Sequence, residues 1–379
     1  MLLAGTLLLA ACSSGTDDDE ETATPDVDAE AAVEEGGVLA GVCPDTVVIQ
    51  ADWEPESEHG GIYALLGDEY TIDTDAKSVT GPLMAAGEDT GVDVEIRIGG
   101  SPVGYQSAPS LLYQDPDIMF GYGRVTEYLV TQEDTPVVSV LASLEKSPYS
   151  IYWDTETYPD AETIADLKAD GVTILMGSEP TVWESYLIGE GIVDESQVDK
   201  SDAPKPGTFI AAGGEVAEAG FISAEPYLYE VEVADWARPV TGQLIHDTGY
   251  PEYFQSLVVR ADDVTEQAEC LTALVPIMQQ AEVDYITDPA ATNALIVELV
   301  ETYDTGWVYS ADLAEWSLAT QVEYGLVGNG DDDTLGNYDL DRVQQLIDLI
   351  AEYTEFDVSG YTPEDLVTNE FIDTSIGLP

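Results

Sequence analysis

The sequence predicts an α/β protein whose last third is helical, and three observations predict it. Between residues 46 and 189, short β-branched or alternating runs take turns with stretches of helical spacing, the pattern of α/β layers around mostly parallel sheets. After about residue 260 the character changes, and residues 265–280, 288–303, 311–325 and 341–355 all read as helices. At 379 residues the chain has room for two ordinary domains and a sizeable core.

In chain order, Thr46-Val47-Val48-Ile49-Gln50-Ala51 is a β-branched run that suits a buried strand. Asp52-Trp53-Glu54-Pro55 ends it, because proline has no N–H to give a ladder. Residues 60–66 open a short helix, residues 78–86 have helical spacing, and residues 92–98 alternate like a half-buried strand. A helix at 108–113, a strand at 117–121, a helix at 126–131 and a strand at 136–142 follow. Residues 149–153, 164–168 and 172–176 continue the alternation, and 181–189 follows the last strand as a helix. No repeat of 20–50 residues is present.

Ten Lys and Arg face 76 Asp and Glu, a net charge of −66. Such a surface repels nucleic acid and anionic headgroups and favours cationic partners. Catalytic material is thin: there is no GxSxG, HExxH or CxxC, and His59 and His246 are the two histidines. The sequence therefore predicts no catalytic residue, no cofactor and no metal site. The acidic loop at 329–336 lacks the sixth-position glycine and twelfth-position glutamate of an EF-hand, and reads as a solvated turn. Cys43 and Cys270 are either a disulfide, if the chain is exported, or two buried thiols.

Leu7-Leu8-Leu9-Ala10-Ala11-Cys12-Ser13-Ser14-Gly15 resembles the lipobox of bacterial lipoproteins. The resemblance implies that residues 1–11 are a removed signal peptide and that Cys12 carries the lipid, with the protein on the extracytoplasmic face of the cell membrane. Residues 1–11 depart from an export signal in having no Lys or Arg. Residues 12–41 read as an acidic, self-repelling spacer. No second apolar run reaches the roughly 18 residues of a membrane helix, so the lipid is the expected attachment.

Aromatics and carboxylates collect at the ends of the expected strands. Asp52 and Trp53 follow the first, Tyr122 the one at 117–121, Glu179 and Trp183 the one ending at Met176, and Glu225 and Tyr227 lie in another such turn. His59 has carboxylates beside it in sequence. In open α/β sheets ligands sit outside the carboxyl ends of strands, which makes these eight the candidate ligand contacts. Their flat faces and negative charge favour an amine-bearing or heterocyclic solute. An anion such as a sulfonate would need Arg124 or the helix starts after Gly123 and Gly177. Arg124 reads more simply as a structural arginine paired with a carboxylate, so that Arg124→Ala should change affinity little.

Val48-Ile49-Gln50-Ala51-Asp52-Trp53-Glu54-Pro55, followed by His59-Gly60-Gly61-Ile62-Tyr63, resembles the opening of the thiamine-pyrimidine-precursor, taurine/alkanesulfonate and nitrate branch of the solute-binding proteins of ABC transporters. Ala224-Glu225-Pro226-Tyr227 matches a Glu-Pro of that branch, and residues 361–371 are similar to its closing helix. The resemblance spans about residues 46–372 and implies a two-lobed, type II periplasmic-binding-protein fold. It further implies a monomer that traps a small molecule between lobe I (42–135 and 242–379) and lobe II (136–241), joined by two crossovers, and hands it to a membrane permease. Residues 68–76 are an insertion relative to the branch. Two other classes fit the same scaffold: a cell-surface enzyme, and a ligand sensor feeding a membrane kinase.

Overall fold

The structure is a computed structural model that describes residues 36–177, 181–201, 204–330 and 332–378. Cys12 and Glu179 lie outside the described residues.

The β-branched run at the start forms β1 (Thr46–Gln50), with Val47 and Ile49 fully buried. It is followed by β2 (Thr71–Asp73), β3 (Ser78–Ala85), β4 (Glu88–Arg97), β5 (Ile118–Gly123), β6 (Val137–Leu144) and β7 (Tyr149–Asp154). Then come β8 (Thr173–Leu175), β9 (Val198–Asp199), β10 (Val216–Phe221), β11 (Val240–Leu244) and β12 (Phe254–Arg260). The strands build a seven-stranded sheet ordered β2-β3-β4-β1-β5-β12-β6 and a five-stranded sheet ordered β11-β7-β10-β8-β9. Each carries one lobe. The chain leaves the first sheet after Leu144 and returns to it at Phe254, so residues 136–144 go with the first lobe.

The helices are α1 (Gly60–Tyr63), α2 (Ala108–Gln114), α3 (Val125–Thr131), α4 (Ile164–Ala169), α5 (Val182–Gly189), α6 (Pro206–Ala211) and α7 (Glu225–Tyr227). After β12 the chain is helical: α8 (Asp263–Glu266), α9 (Ala268–Thr287), α10 (Ala290–Tyr303), α11 (Ala311–Glu323) and α12 (Leu340–Tyr353). The α/β class and the helical last third are as expected. No helix among the described residues is long and apolar enough to cross a membrane.

Four details depart from the sequence reading. Residues 78–86 form a strand, not a helix: β3 pairs antiparallel with β4 through the two-residue turn Ala86-Gly87, both at positive φ (52° and 79°). That backbone suits the twist of a hairpin, and Val79 and Leu83, four residues apart, share a face in a strand as readily as in a helix. The sheets are mixed, with β1 parallel to β4 and β5, β8 parallel to β9 and β10, and the remaining pairs antiparallel. Residues 361–371 hold a single 3-10 turn, Pro363–Asp365, and then run beside β6, where Thr368 donates its N–H to the Ser139 carbonyl at 2.8 Å. Finally, packing begins before residue 42: Leu39 is fully buried and donates its N–H to the Thr90 carbonyl at 2.9 Å. The insertion at 68–76 supplies β2 and its turn on the sheet edge.

Cys43 and Cys270 are bonded, with Cα atoms 4.8 Å apart, and tie the turn before β1 to α9 inside the first lobe's core. Behind the lobes, α12 gathers both crossovers. Its Arg342 guanidinium lies 3.7 Å from the Tyr253 ring centre, donates to the Pro251 carbonyl at 2.9 Å and bonds the Glu145 carboxylate and carbonyl. The same helix reaches the second lobe, where the Tyr353 ring lies so close to Gly189 that a Cβ there would stand 2.1 Å away.

Candidate functional site

The floor of the site is the carboxyl end of β1. Gln50 Nε2 donates to the Ile98 carbonyl at 2.9 Å and to that of Ala51 at 3.0 Å, which fixes the strand end beside β4. Asp52 and Trp53 then turn outward across Gly99, whose N–H donates to the Trp53 carbonyl at 2.9 Å. They open a cavity of about 610 Å³ between the two lobes.

Two chemical zones face this cavity. One is aromatic and acidic: Trp53 meets Trp307 edge-on at 6.1 Å, Tyr105 at 5.9 Å, and Trp307 stacks on Tyr309 at 6.4 Å. Beside them stand Glu56 and Glu58, with Glu225 opposite on the second lobe. The Glu56 carboxyl is buried and accepts no hydrogen bond from the described residues. Burial first, then the charges of Glu58, Asp52 and Glu225, push it well above the usual carboxylate range. Glu58 is raised by burial, opposed by the hydroxyl that Ser223 donates to it from the other lobe. Glu225 is pushed up to about 7 by burial, although it accepts the Phe221 N–H at 2.6 Å.

The other zone is cationic. Arg124, just ahead of α3, sets its guanidinium carbon 5.9 Å from the Tyr149 ring centre and 5.5 Å from that of Phe254, two rings that meet edge-on. Its nearest carboxylate is Glu127 at 3.8 Å. Burial works against its charge, which Tyr149, Glu127 and Glu252 sustain. Gln255, also on the wall, holds φ at 46°, a left-handed conformation that non-glycine residues seldom adopt outside turns and functional sites.

Of the residues singled out from sequence, Asp52, Trp53 and Glu225 line the cavity. His59 is fully buried behind Asp52, its Nε2 2.8 Å from Asp52 Oδ1, and stacks on Tyr122 at 5.3 Å. This pair backs the site without reaching its wall. Trp183 is buried 5.7 Å from Tyr149, also off the wall. Tyr227 packs 5.5 Å from Trp316 and so bridges the lobes. Sequence reasoning missed Glu56 and Glu58, which follow Pro55 within the opening run, and Trp307 and Tyr309, which sit in a short loop between α10 and α11.

Beneath α1 lies a further carboxyl. Glu282 on α9 is buried, has no hydrogen bond or ion pair among the described residues, and is pushed by burial up to about 8 from an ordinary value near 4.5. As pH rises through that window the unfolded chain releases this proton while the folded one retains it, so folding loses stability between about pH 4.5 and 8. Glu282→Gln is therefore expected to raise stability by on the order of a few kcal/mol at pH 8.5 and by little at pH 4.5. Urea unfolding at the two pH values checks it; equal midpoints at pH 8.5 would refute it.

No protein-family model matches the chain, and no curated protein matches it in sequence. Solved structures do match in fold. The ligand-binding component of an ABC-type import system from Staphylococcus aureus, solved with zinc bound, superposes with a TM-score of 0.53 at 11% identity, covering 86% of this chain and 97% of that one. The periplasmic aliphatic sulphonate-binding protein of Escherichia coli gives 0.53 at 13% identity, covering 87% and 92%. An ABC transporter protein from Parabacteroides distasonis gives 0.50 at 12% identity, covering 87% and 99%. With two sheets, two crossovers and a cavity between the lobes, the chain has the two-lobed periplasmic-binding-protein fold of ABC-import ligand-binding components.

Proposed function

We propose that this chain is an extracytoplasmic receptor, tethered through a lipid on Cys12, that captures a small amine-bearing solute between its lobes and presents it to the permease of an ABC importer. The observation that carries the reading is the acidic zone of the inter-lobe cavity. Among the described lining residues, five carboxylates (Asp52, Glu56, Glu58, Glu127 and Glu225) face one arginine, and Glu56 is buried with nothing bonded to it. A buried carboxyl without a partner is costly, and an ammonium group entering beside it would supply both charge and hydrogen bonds. Trp53 and Trp307 offer that cation their ring faces, each worth roughly 0.5–2 kcal/mol. Contacts from both lobes stabilise the closed state, and closure makes the docking surface. Two of the fold relatives are named for binding, a ligand-binding component and a sulphonate-binding protein, which supports a binding role.

Two fold relatives are named for ligand binding and for a sulphonate, and the local charge argues that this chain takes something different. Glu225→Gln should weaken binding of the solute about tenfold or more, the loss of a charge-assisted hydrogen bond of roughly 1.5–3 kcal/mol. In the unaltered chain affinity should also fall as pH drops below about 7, where Glu225 takes up its proton, and this dependence should flatten in the variant. Native mass spectrometry identifies the compound carried by the purified protein, and titration calorimetry at pH 5.5 and 8 measures both effects. A pH-independent affinity untouched by Glu225→Gln would remove the cation reading.

A further inference from the structure

Arg124 does pair with a carboxylate, Glu127, but at 3.8 Å the pair is loose and does not use up its donors. Among the described residues its guanidinium makes no hydrogen bond; Glu127 stops at 3.8 Å, outside bonding distance. Tyr149 and Phe254 pack beside it through cation–π contacts, which use none of its N–H donors, and Arg124 lines the cavity. A half-buried guanidinium with unused donors can take an anion, as the Glu56 carboxyl can take a cation.

The two demands are separated within one cavity. The carboxylates acting on Arg124 are Glu127, Glu252 and Asp52, whereas those acting on Glu56 are Glu58, Asp52 and Glu225. Asp52, on the cavity wall, belongs to both sets. The lining also includes the apolar side chains Phe221, Leu228, Phe254 and Leu313. A ligand with a single charge would satisfy one of the two groups and leave the other without a ligand partner.

We propose, building on the receptor reading above, that the solute is dipolar: its cationic nitrogen lies against Glu56 and Glu225 under Trp53 and Trp307, and its carboxylate lies on Arg124. The fork of one guanidinium matches the two oxygens of a planar carboxylate, and a three-oxygen sulfonate would leave an oxygen over. The chemical class is an aminocarboxylate with an apolar spacer.

The test uses the full chain and three matched ladders: aminocarboxylates from glycine to 6-aminohexanoate with the common α-amino acids, alkylamines of the same lengths, and the corresponding unsubstituted carboxylates. Binding is read by thermal shift and then by calorimetry in low salt. At least one aminocarboxylate should bind at least tenfold more tightly than both its amine and its carboxylate counterpart. Arg124→Met should erase that advantage while leaving the amine's affinity within about twofold, and Glu56→Gln should weaken amine and aminocarboxylate together. An amine that binds as tightly as its aminocarboxylate, or Arg124→Met without effect, overturns the dipolar assignment and leaves the receptor reading standing. Failure of all three ladders also overturns it. The receptor reading falls only if the purified protein in addition carries no small molecule by native mass spectrometry.

Discussion

Replacing Cys43 and Cys270 together by alanine is expected to lower the stability of the first lobe by about 5 kcal/mol, the largest effect of any change considered for this chain. The two residues are 227 apart in sequence, so in the unfolded chain the bond closes a very long loop, and removing it returns the corresponding entropy to the unfolded state. In the folded state little is lost beyond two sulfur atoms, because Cys43 and Cys270 are already surrounded by the core around Val47, Leu271 and Leu274. Alanine keeps that site apolar. Urea unfolding followed by tryptophan fluorescence should show a lower midpoint for the double variant, and treatment of the unaltered protein with reductant should reproduce it. A midpoint that neither change moves would mean that the bond contributes nothing.

Gly99→Ala is expected to damage both stability and binding. A Cβ at this position would stand 2.3 Å from the Asp52 carbonyl carbon and 2.6 Å from the Ala51 oxygen. These are backbone atoms at the end of a buried strand, and they cannot swing aside as a side-chain tip can. Relief requires displacing the peptide that carries Asp52 and Trp53, at a cost of roughly 1–3 kcal/mol and with the acidic, aromatic zone of the cavity pushed out of register. Affinity for the solute should fall at least tenfold. Gly207→Ala is the matched control: it lies in α6, nothing stands within 4 Å of its added Cβ, and the helix gains up to about 1 kcal/mol. Wild-type affinity in the Gly99 variant would show that Asp52 and Trp53 do not contact the ligand.

What the sequence disclosed follows a physical line. The helices α10, α11 and α12 match the expected spans within a few residues, because long periodic stretches between cap and turn signals leave few alternatives. The strand β3 was hidden by parity, since a spacing of four suits both periods, and its turn carries Ala-Gly where Asn-Gly or Asp-Gly would have been recognised. At the site, the strand-end rule picked out Asp52, Trp53 and Glu225, and it also picked out Tyr122 and Trp183, which lie in the right layer and point away from the cavity. Position along a strand tells where a residue sits, and side-chain direction depends on what packs around it. Glu56 and Glu58 were lost among 76 acidic residues. Trp307 and Tyr309 arrive from the far end of the chain through the packing of α10 on α11, a juxtaposition that no local pattern encodes.

The facing carboxyls have one more consequence, for error rather than affinity. Glu56 and Glu58 belong to the first lobe and Glu225 to the second; Glu225 raises the proton affinity of Glu56 across the gap, and Glu58 raises that of Glu225. Shutting the cleft with nothing inside therefore either presses like charges together where they are poorly screened or holds protons on carboxyls that would ordinarily release them. A cargo that carries positive charge lifts that penalty as it binds, so vacancy and occupancy differ in free energy by more than the contacts alone would give. On the receptor reading proposed above, an importer would then seldom be fooled by an empty protein, and would hydrolyse less ATP on strokes that carry nothing.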